Sequence, residues 1–273
     1  MPRNILITGA GSGFGRGAAL ELAGRGHAVT AGVQIAPQAT DLRTAAQEHH
    51  VELDVVVLDI TDADDRRAVL DRDVDVLVNN AGILESGPVA EIPMHRVRRN
   101  YETNVFGTLA MCQGVAPRMV ARGSGKIINV TSMGGLVTVP FAAVYTSTKH
   151  ALESLTEGLR SELSGTGVDV CTVNPGLYGT GFNDRGAETM LRWFDPSTSL
   201  SRPGLLAAAN GGLADQLDPQ AVVDVLVRLA EEDTSPFRTV VPAEIVPWIQ
   251  ALQDRAWTAG TGDALFLAPQ EFA

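Results

Sequence analysis

Short apolar runs rich in valine and isoleucine alternate along the chain with longer segments whose apolar residues recur at helical spacing. The runs fall at residues 4–8, 28–33, 53–58, 74–78, 126–131 and 168–173. Continuous hydrophobicity over so few residues predicts strands buried on both faces, as in a parallel sheet. Helical patterns fall near 14–24, 38–49, 62–71, 96–121 and 143–164. Strict alternation of the two predicts an α/β fold, a doubly wound parallel sheet with helices on both faces. No repeat, low-complexity tract or Pro/Gly/Ser-rich linker divides the chain, so residues 1–273 are expected to form a single domain. Two stretches break the rhythm. Residues 177–217 carry Phe182, Trp193 and Phe194 among several glycines and two prolines. A long irregular insertion of this kind is usually functional, and a lid over the site is expected here. Residues 242–273 form a Pro-spaced tail containing Trp248, Trp257 and Phe266, expected to cover a neighbouring surface or a partner subunit.

Bulk properties narrow the function. A net charge of −11 and a pI near 4.9 work against nucleic acid or an anionic membrane as partner. No apolar run approaches the roughly 20 residues a bilayer span needs. The N-terminus runs straight into the first strand, so no secretory signal is expected. The two cysteines, Cys112 and Cys171, are far apart and form no metal or redox motif. The five histidines show neither an HExxH pattern nor a Cys/His spacing, and no metal site is expected. A soluble cytoplasmic protein is the expectation.

Candidate chemistry begins where the first strand ends, in Thr8-Gly9-Ala10-Gly11-Ser12-Gly13-Phe14-Gly15. Glycines permit a sharp turn and a close approach of phosphate to main-chain N–H groups. The following helix offers unpaired N–H groups and a positive dipole end, which suits a pyrophosphate. Further on, Tyr145 and Lys149 stand at i and i+4 of a predicted helix and share a face. An adjacent ammonium is expected to lower a phenol's pKa from about 10 towards neutrality, so that Tyr145 exchanges a proton with an alcohol or ketone oxygen. Only two of the chain's 21 basic residues are lysines, Lys126 and Lys149. Lysine retained in an arginine-rich chain points to a need for a compact ammonium. Ser132 follows the fifth predicted strand, where ligands sit in open α/β sheets. Asn104 is a polar residue among apolar neighbours in a predicted helix, and Asn79-Asn80-Ala81-Gly82 closes the fourth strand.

Together these residues resemble the short-chain dehydrogenase/reductase family. The matching motifs are Thr8-Gly-x-x-x-Gly-x-Gly15, Asn79-Asn-Ala-Gly82, Asn104, Ser132, Tyr145-x-x-x-Lys149 and Pro175-Gly176 with Thr180, in the family's order and at family-like spacing. The resemblance implies a Rossmann-like sheet of about seven strands. It implies hydride transfer between NAD(P) and a secondary alcohol or ketone. Tyr145 would be the general acid/base, and Lys149 would hold the nicotinamide ribose. Ser132 would orient the substrate carbonyl, and Asn104 would support a water relay. The cofactor would lie on Gly9, Ser12, Gly13, Phe14 and Gly15, with Gln34 at its ribose and Asp59 and Ile60 at its adenine. Asn80, Ala81 and Gly82 would flank the adenosine half, with Asn79 steadying the sheet. Pro175, Gly176 and Thr180 would meet the nicotinamide. Neither usual selector of the 2′ position is present. The second strand ends in Val33-Gln34 rather than in an acid, and Ser12 stands where many NADP users have arginine. A 2′-phosphate wants a cation, and only Arg43 is near, so the balance favours NAD.

Leu84, Met133, Val139, Phe141, Tyr178, Phe182, Trp193 and Phe194 lie in segments that flank the site in relatives and suggest a pocket for an apolar, cyclic or steroid-like substrate. Tyr178 is unusual at its place in the family. The helices at 96–121 and 143–164 match the pair relatives use in homodimers and homotetramers. Two alternatives are an epimerase or dehydratase of the same superfamily and a non-catalytic dinucleotide sensor. The glycine spacing opposes the first, and the intact tyrosine, lysine, serine and asparagine set opposes the second. No GxSxG elbow supports a serine hydrolase.

Overall fold

The computed structural model describes residues 1–201 and 215–267. Seven strands form one sheet: β1 (Asn4–Ile7), β2 (Ala28–Val33), β3 (Asp54–Val57), β4 (Val76–Asn79), β5 (Gly125–Val130), β6 (Val168–Pro175) and β7 (Arg238–Val241). All neighbours are parallel, in the order β3-β2-β1-β4-β5-β6-β7. Six of them fall on the predicted runs, with ends shifted by one or two residues. β7 was not visible as a strand. It is an edge element whose apolar run is Val240-Val241 alone before Pro242, whereas β3, equally short, sits in the continuous run Val55-Val56-Val57-Leu58.

The sheet separates two cores because successive strand residues point to opposite faces. Ile5 and Ile7 of β1, Ile128 and Val130 of β5, and Cys171 and Val173 of β6 face one side. There they meet α1 (Gly13–Gly24) through Ala18, Ala19 and Leu22, and α2 (Ala36–Glu48) through Ala39 and Leu42. Leu6, Leu77, Ile127 and Val170 face the other. That side is covered by Val69 of α3 (Ala63–Leu70) and by Met111, Val115 and Met119 of α5 (Thr108–Arg122).

The helix predicted at 96–121 is real but not uniform. It begins as α4 (Met94–Tyr101), passes through a π-helical stretch at Glu102–Gly107, and continues as α5. The long helix α6 (Ala143–Glu162) matches its prediction. Three later helices were not predicted: α7 (Phe182–Leu191), α8 (Gln220–Glu231) and α9 (Val246–Thr258). α8 completes the first core with Val222, Val223, Leu226 and Val227. The tail is therefore partly helical. Trp248, Ile249 and Leu252 of α9 pack on Leu136 and Val137 of the same chain. Residues 202–214 of the expected lid and 268–273 of the tail lie outside the described residues. Among those described, no helix is long and apolar enough to cross a membrane.

Lys126 shows what the rarer basic residue does here. It is almost fully buried in β5, and its Nζ donates to the carbonyls of Leu229 and Glu232 at the end of α8, at 3.0 and 2.7 Å. It also pairs with Asp169 at 3.3 Å. A buried ammonium thus ties the last helix to the sheet. Lys126→Met is expected to cost about 2 kcal/mol in urea unfolding, because it strands the Leu229 carbonyl and takes the buried counter-charge from Asp169, which keeps Arg160 and Ser235. A loss below about 1 kcal/mol would contradict that account.

Candidate active site

The strand order reverses between β1 and β4, and in open α/β sheets ligands sit beyond the carboxyl ends of strands at such a point. A cleft of about 460 Å³ opens there. Its floor is the glycine loop. Gly9 has φ +65°, and a Cβ on it would stand 2.7 Å from the Cα of Ala81. Gly13 also has a positive φ, and a Cβ there would meet Thr180 at 3.0 Å. The loop is strapped to the end of β4. Thr8 Oγ1 accepts from the N–H groups of Asn80 and Ala81 at 3.1 and 3.0 Å, and Asn80 Nδ2 donates to the carbonyls of Thr8 and Gly9 at 3.1 and 3.0 Å. Gly15 does not line the cleft. Its hydrogen leaves room for the Asn80 amide, which a Cβ would approach to 2.4 Å. Ser12 precedes α1 without capping it by its side chain, so its hydroxyl is uncommitted at the cradle.

At the adenosine end, Gln34, Asp59 and Ile60 line the cleft. Gln34 Nε2 donates to Asp59 at 3.2 Å. Partial burial works to raise the Asp59 pKa, but the Thr61 N–H, the Thr61 hydroxyl and Gln34 together hold the carboxylate below its usual range. Arg43 does not serve this end. Its guanidinium donates to the Val55 carbonyl of β3 at 2.7 Å. The cations that do adjoin are Arg98 and Arg99 of α4, which share a shallow hollow with His95, Gln34, Asp59 and Glu102.

Tyr145, Lys149 and Ser132 converge on one wall of the cleft. The Tyr145 phenol is buried with Ser132 acting on it, and the Ser132 hydroxyl accepts from Gly134 N at 3.0 Å. Lys149 lies one helical turn on. Its Nζ is 5.8 Å from the Tyr145 ring centre and donates to the Val130 carbonyl of β5 at 3.0 Å. The expected lowering of the phenol's pKa is not what this geometry gives. Burial pushes Tyr145 up to about 12, with Ser132 pulling against it. Burial also pulls Lys149 down to about 8, with Glu153 pulling against it. Desolvation is the largest influence on both groups because neither has full access to water.

Asn104 is fully buried behind the wall rather than in it. Its Oδ1 accepts from Ile83 N at 2.9 Å, and its Nδ2 donates to the Ile83 carbonyl at 2.9 Å and to Thr148 Oγ1 at 3.0 Å. The π-helical turn that carries it is a departure often found at functional sites. Asn104 thereby clamps the segment after Gly82 onto α6. Asn79 bonds within the sheet, donating to Asn129 at 2.9 Å.

Of the eight expected apolar pocket residues, Leu84, Met133, Val139, Tyr178 and Phe182 line the cleft, and Pro175, Gly176 and Thr180 complete its rim. Phe182 stacks near Tyr145, ring centres 5.8 Å apart. Tyr178 is a floor residue, edge-on to Phe14 at 5.6 Å, with its buried hydroxyl unpaired among the described residues. Phe141, Trp193 and Phe194 stand away from the lining. The Phe141 carbonyl accepts from Gly87 N at 2.6 Å, and Trp193 fills the space beside Gly87 and packs edge-on to Phe194. Trp193 and Phe194 thus serve the loop framework, and Phe141 does so through its main chain. Residues not anticipated include Gln38, Thr103 and Arg185. Gln38 Oε1 accepts from Gln34 N at 3.0 Å and Ile35 N at 3.3 Å. A Gln three residues into a helix opened by Ala36-Pro37 was the available signal. Arg185, an exposed cation on α7, had none.

A doubly wound sheet, a bare glycine cradle at its switch point and a buried phenol beside an ammonium define a dinucleotide-binding oxidoreductase of the α/β class. A model of the short chain dehydrogenase family matches residues 3–190. The chain is 33% identical over 234 residues to YusZ of Bacillus subtilis, an uncharacterized oxidoreductase, covering 82% of this chain and 83% of that one. It is 30% identical to the 3-ketodihydrosphingosine reductase of Bacteroides thetaiotaomicron, over 94% and 93% of the two chains. Among solved structures it superposes on a variant of actinorhodin polyketide ketoreductase with NADPH, with a TM-score of 0.72 and 27% identity over 88% of this chain and 95% of that one. The chain belongs to the short-chain dehydrogenase family.

Proposed function

We propose that the protein transfers hydride between a nicotinamide dinucleotide and a ketone or secondary alcohol on an apolar skeleton. The observation that carries this reading is the buried Tyr145 phenol, set with Ser132 and Lys149 at the wall of a cleft floored by glycines. The cradle fits a dinucleotide. Gly9 and Gly13 keep the backbone bare where a pyrophosphate must approach, and the first turn of α1 offers N–H groups to it. Gln34, Asp59 and Ile60 would hold the adenosine half, and Pro175, Gly176, Thr180 and Lys149 the nicotinamide half. When bound, that group supplies or accepts the hydride.

The chain's own part is proton transfer and orientation. In the reductive direction Tyr145 gives its phenolic proton to the carbonyl oxygen as negative charge develops there. Ser132 hydrogen-bonds the same oxygen and fixes its direction. Lys149 offsets the charge left on the phenolate, and its anchor on Val130 keeps it from turning to solvent. Ile83, Leu84, Met133, Val139, Leu177 and Phe182 supply the apolar surface beside these groups, which favours ketones without nearby charge. The names of the sphingosine-type and polyketide relatives agree with a ketone in such a setting. Reduced-nicotinamide absorbance followed over a panel of apolar ketones should show turnover. Turnover confined to charged sugars or hydroxy acids would reject the substrate class.

For the cofactor, neutral Gln34 neither repels a 2′-phosphate nor pairs with it, Arg43 turns away to Val55 while Arg98 and Arg99 adjoin this end, and similar structures hold NADP as well as NAD, so the expected preference for NAD finds no support. The protein is therefore expected to take both forms, with dissociation constants for NADH and NADPH within about tenfold of each other. Gln34→Arg should favour NADPH, and Gln34→Asp should favour NADH. A hundredfold preference in the native protein, measured by fluorescence titration, would show that another residue selects.

A further inference from the structure

On α6, Tyr145, Lys149 and Glu153 stand at i, i+4 and i+8, a ladder along one face. Glu153 is buried, and the chemistry described above makes no use of it. Its Oε1 accepts from Asn174 Nδ2 of β6 at 2.7 Å. Its Oε2 accepts from Arg238 of β7, at 2.8 Å from one terminal nitrogen and 3.2 Å from Nε. The same Asn174 nitrogen lies 2.7 Å from Thr131 Oγ1 and 3.2 Å from the Ser132 carbonyl. A carboxylate is thus bolted between the catalytic helix, the strand end that carries Ser132, and the edge of the sheet.

Lys149 needs such a neighbour. Its ammonium is buried and bonded to a carbonyl, and a buried cation without a counter-charge sheds its proton. The groups around it are nearly all neutral. Tyr145 shares its helix, the Val130 carbonyl and Ser132 hydroxyl come from the β5 side, and Gly82 backed by Asn104 comes from the β4 side. Asn174 of β6 is neutral too. β7 contributes Arg238, a cation bound to the Glu153 carboxylate and partly exposed to water. Among the described residues Glu153 is the anion that acts on the Lys149 ammonium.

We propose that Glu153 is a positioning residue of the active site: the buried counter-charge that keeps Lys149 an ammonium, fixed by Asn174 and Arg238. The proposal rests on Lys149 being the tyrosine's partner, but its test does not depend on activity. The chain has only two lysines, so protein labelled with ¹³C-lysine gives two Cε signals, and that of Lys149 is the one missing from Lys149→Met. Following it against pH in the cofactor-free protein should give a midpoint near 8. In Glu153→Gln the midpoint should fall by about one pH unit. Glu153→Asp, which keeps the charge, should stay close to the native value. Arg238→Gln removes an opposing positive charge, so its midpoint should rise or stay. An unchanged or raised midpoint in Glu153→Gln overturns the proposal. So does a fall in Arg238→Gln, because any damage to the network would then suffice. If Glu153→Gln does not fold, the Asp and Arg238 variants still decide: a fall of a full pH unit in either one overturns it. The alkaline limb of kcat should follow the NMR midpoint. A midpoint that moves while the kcat profile stays fixed would support the role of Glu153 and remove Lys149 from proton transfer.

Discussion

Tyr145→Phe is expected to lose about three orders of magnitude in kcat while keeping its fold and its cofactor affinity nearly intact. The substitution removes one oxygen and leaves the ring, which packs against Phe182 and lies below Lys149 in the cleft wall. Core volume is unchanged, so the cost to stability should stay below about 1.5 kcal/mol. What disappears is, among the described residues of the wall, the group proposed to give its proton to the substrate oxygen. Ser132 remains, but a serine hydroxyl is far too weak an acid to replace a phenol. The raised phenol pKa sharpens the expectation. With the phenol pushed to about 12 and the ammonium pulled to about 8, ketone reduction starts from a protonated tyrosine at neutral pH. Alcohol oxidation needs the phenolate and should accelerate as pH rises, until Lys149 loses its proton and its help with it. Rapid-mixing absorbance measurements and a cofactor titration on the same sample separate the two quantities. A variant within tenfold of native turnover would remove Tyr145 from the chemistry.

How much of this was legible in the sequence depended on what each residue type had to do. Strands buried on both faces announce themselves, since most positions are apolar, and β1, β2, β4 and β5 were legible for that reason. β7 was hidden because its apolar run is Val240-Val241 alone, closed by Pro242. α8 was legible in principle, because Val222, Val223, Leu226 and Val227 repeat at helical spacing, but its sequence directly follows residues that break the alternation of strand and helix patterns. α7 contains Gly186 in its middle, and that glycine is explained only by tertiary contact: Leu84 occupies the space a side chain would need. The site shows the same division. Gly9, Ser132, Tyr145 and Lys149 could be placed because each sits just beyond a strand end or at a fixed helical offset, so local chemistry predicts position. Direction could not be read from type. Trp193 and Phe194 are as apolar as Leu84 and Met133, yet they point into loop packing. Glu153 carried no signal in the sequence, because its partners Asn174 and Arg238 come to it only in the fold.

Gly9→Val should disable the protein at the step before chemistry, with cofactor affinity falling at least about a hundredfold. Two costs fall on one atom. A β-branched residue at φ +65° is strained by about 1–3 kcal/mol, and its Cβ would sit 2.7 Å from the Ala81 Cα and 2.9 Å from the Ala81 nitrogen, backbone atoms that cannot rotate aside. The loop must move, and the same loop is the cradle. Because Thr8 and Asn80 lock it to the end of β4, movement there also shifts Gly82, against which the Lys149 Nζ rests. Stability should drop by about 2–4 kcal/mol in addition. Gly24→Ala is the matched control. It lies in the last turn of α1 at ordinary φ, and an added Cβ would meet only Val51 at 3.5 Å, so it should be neutral or stabilise by a few tenths of a kcal/mol. Equal loss of binding in both variants would mean that α1 as a whole, rather than the bare backbone at Gly9, governs access to the cleft. A Gly9→Val protein that binds cofactor normally would show that the cradle is not where the pyrophosphate rests.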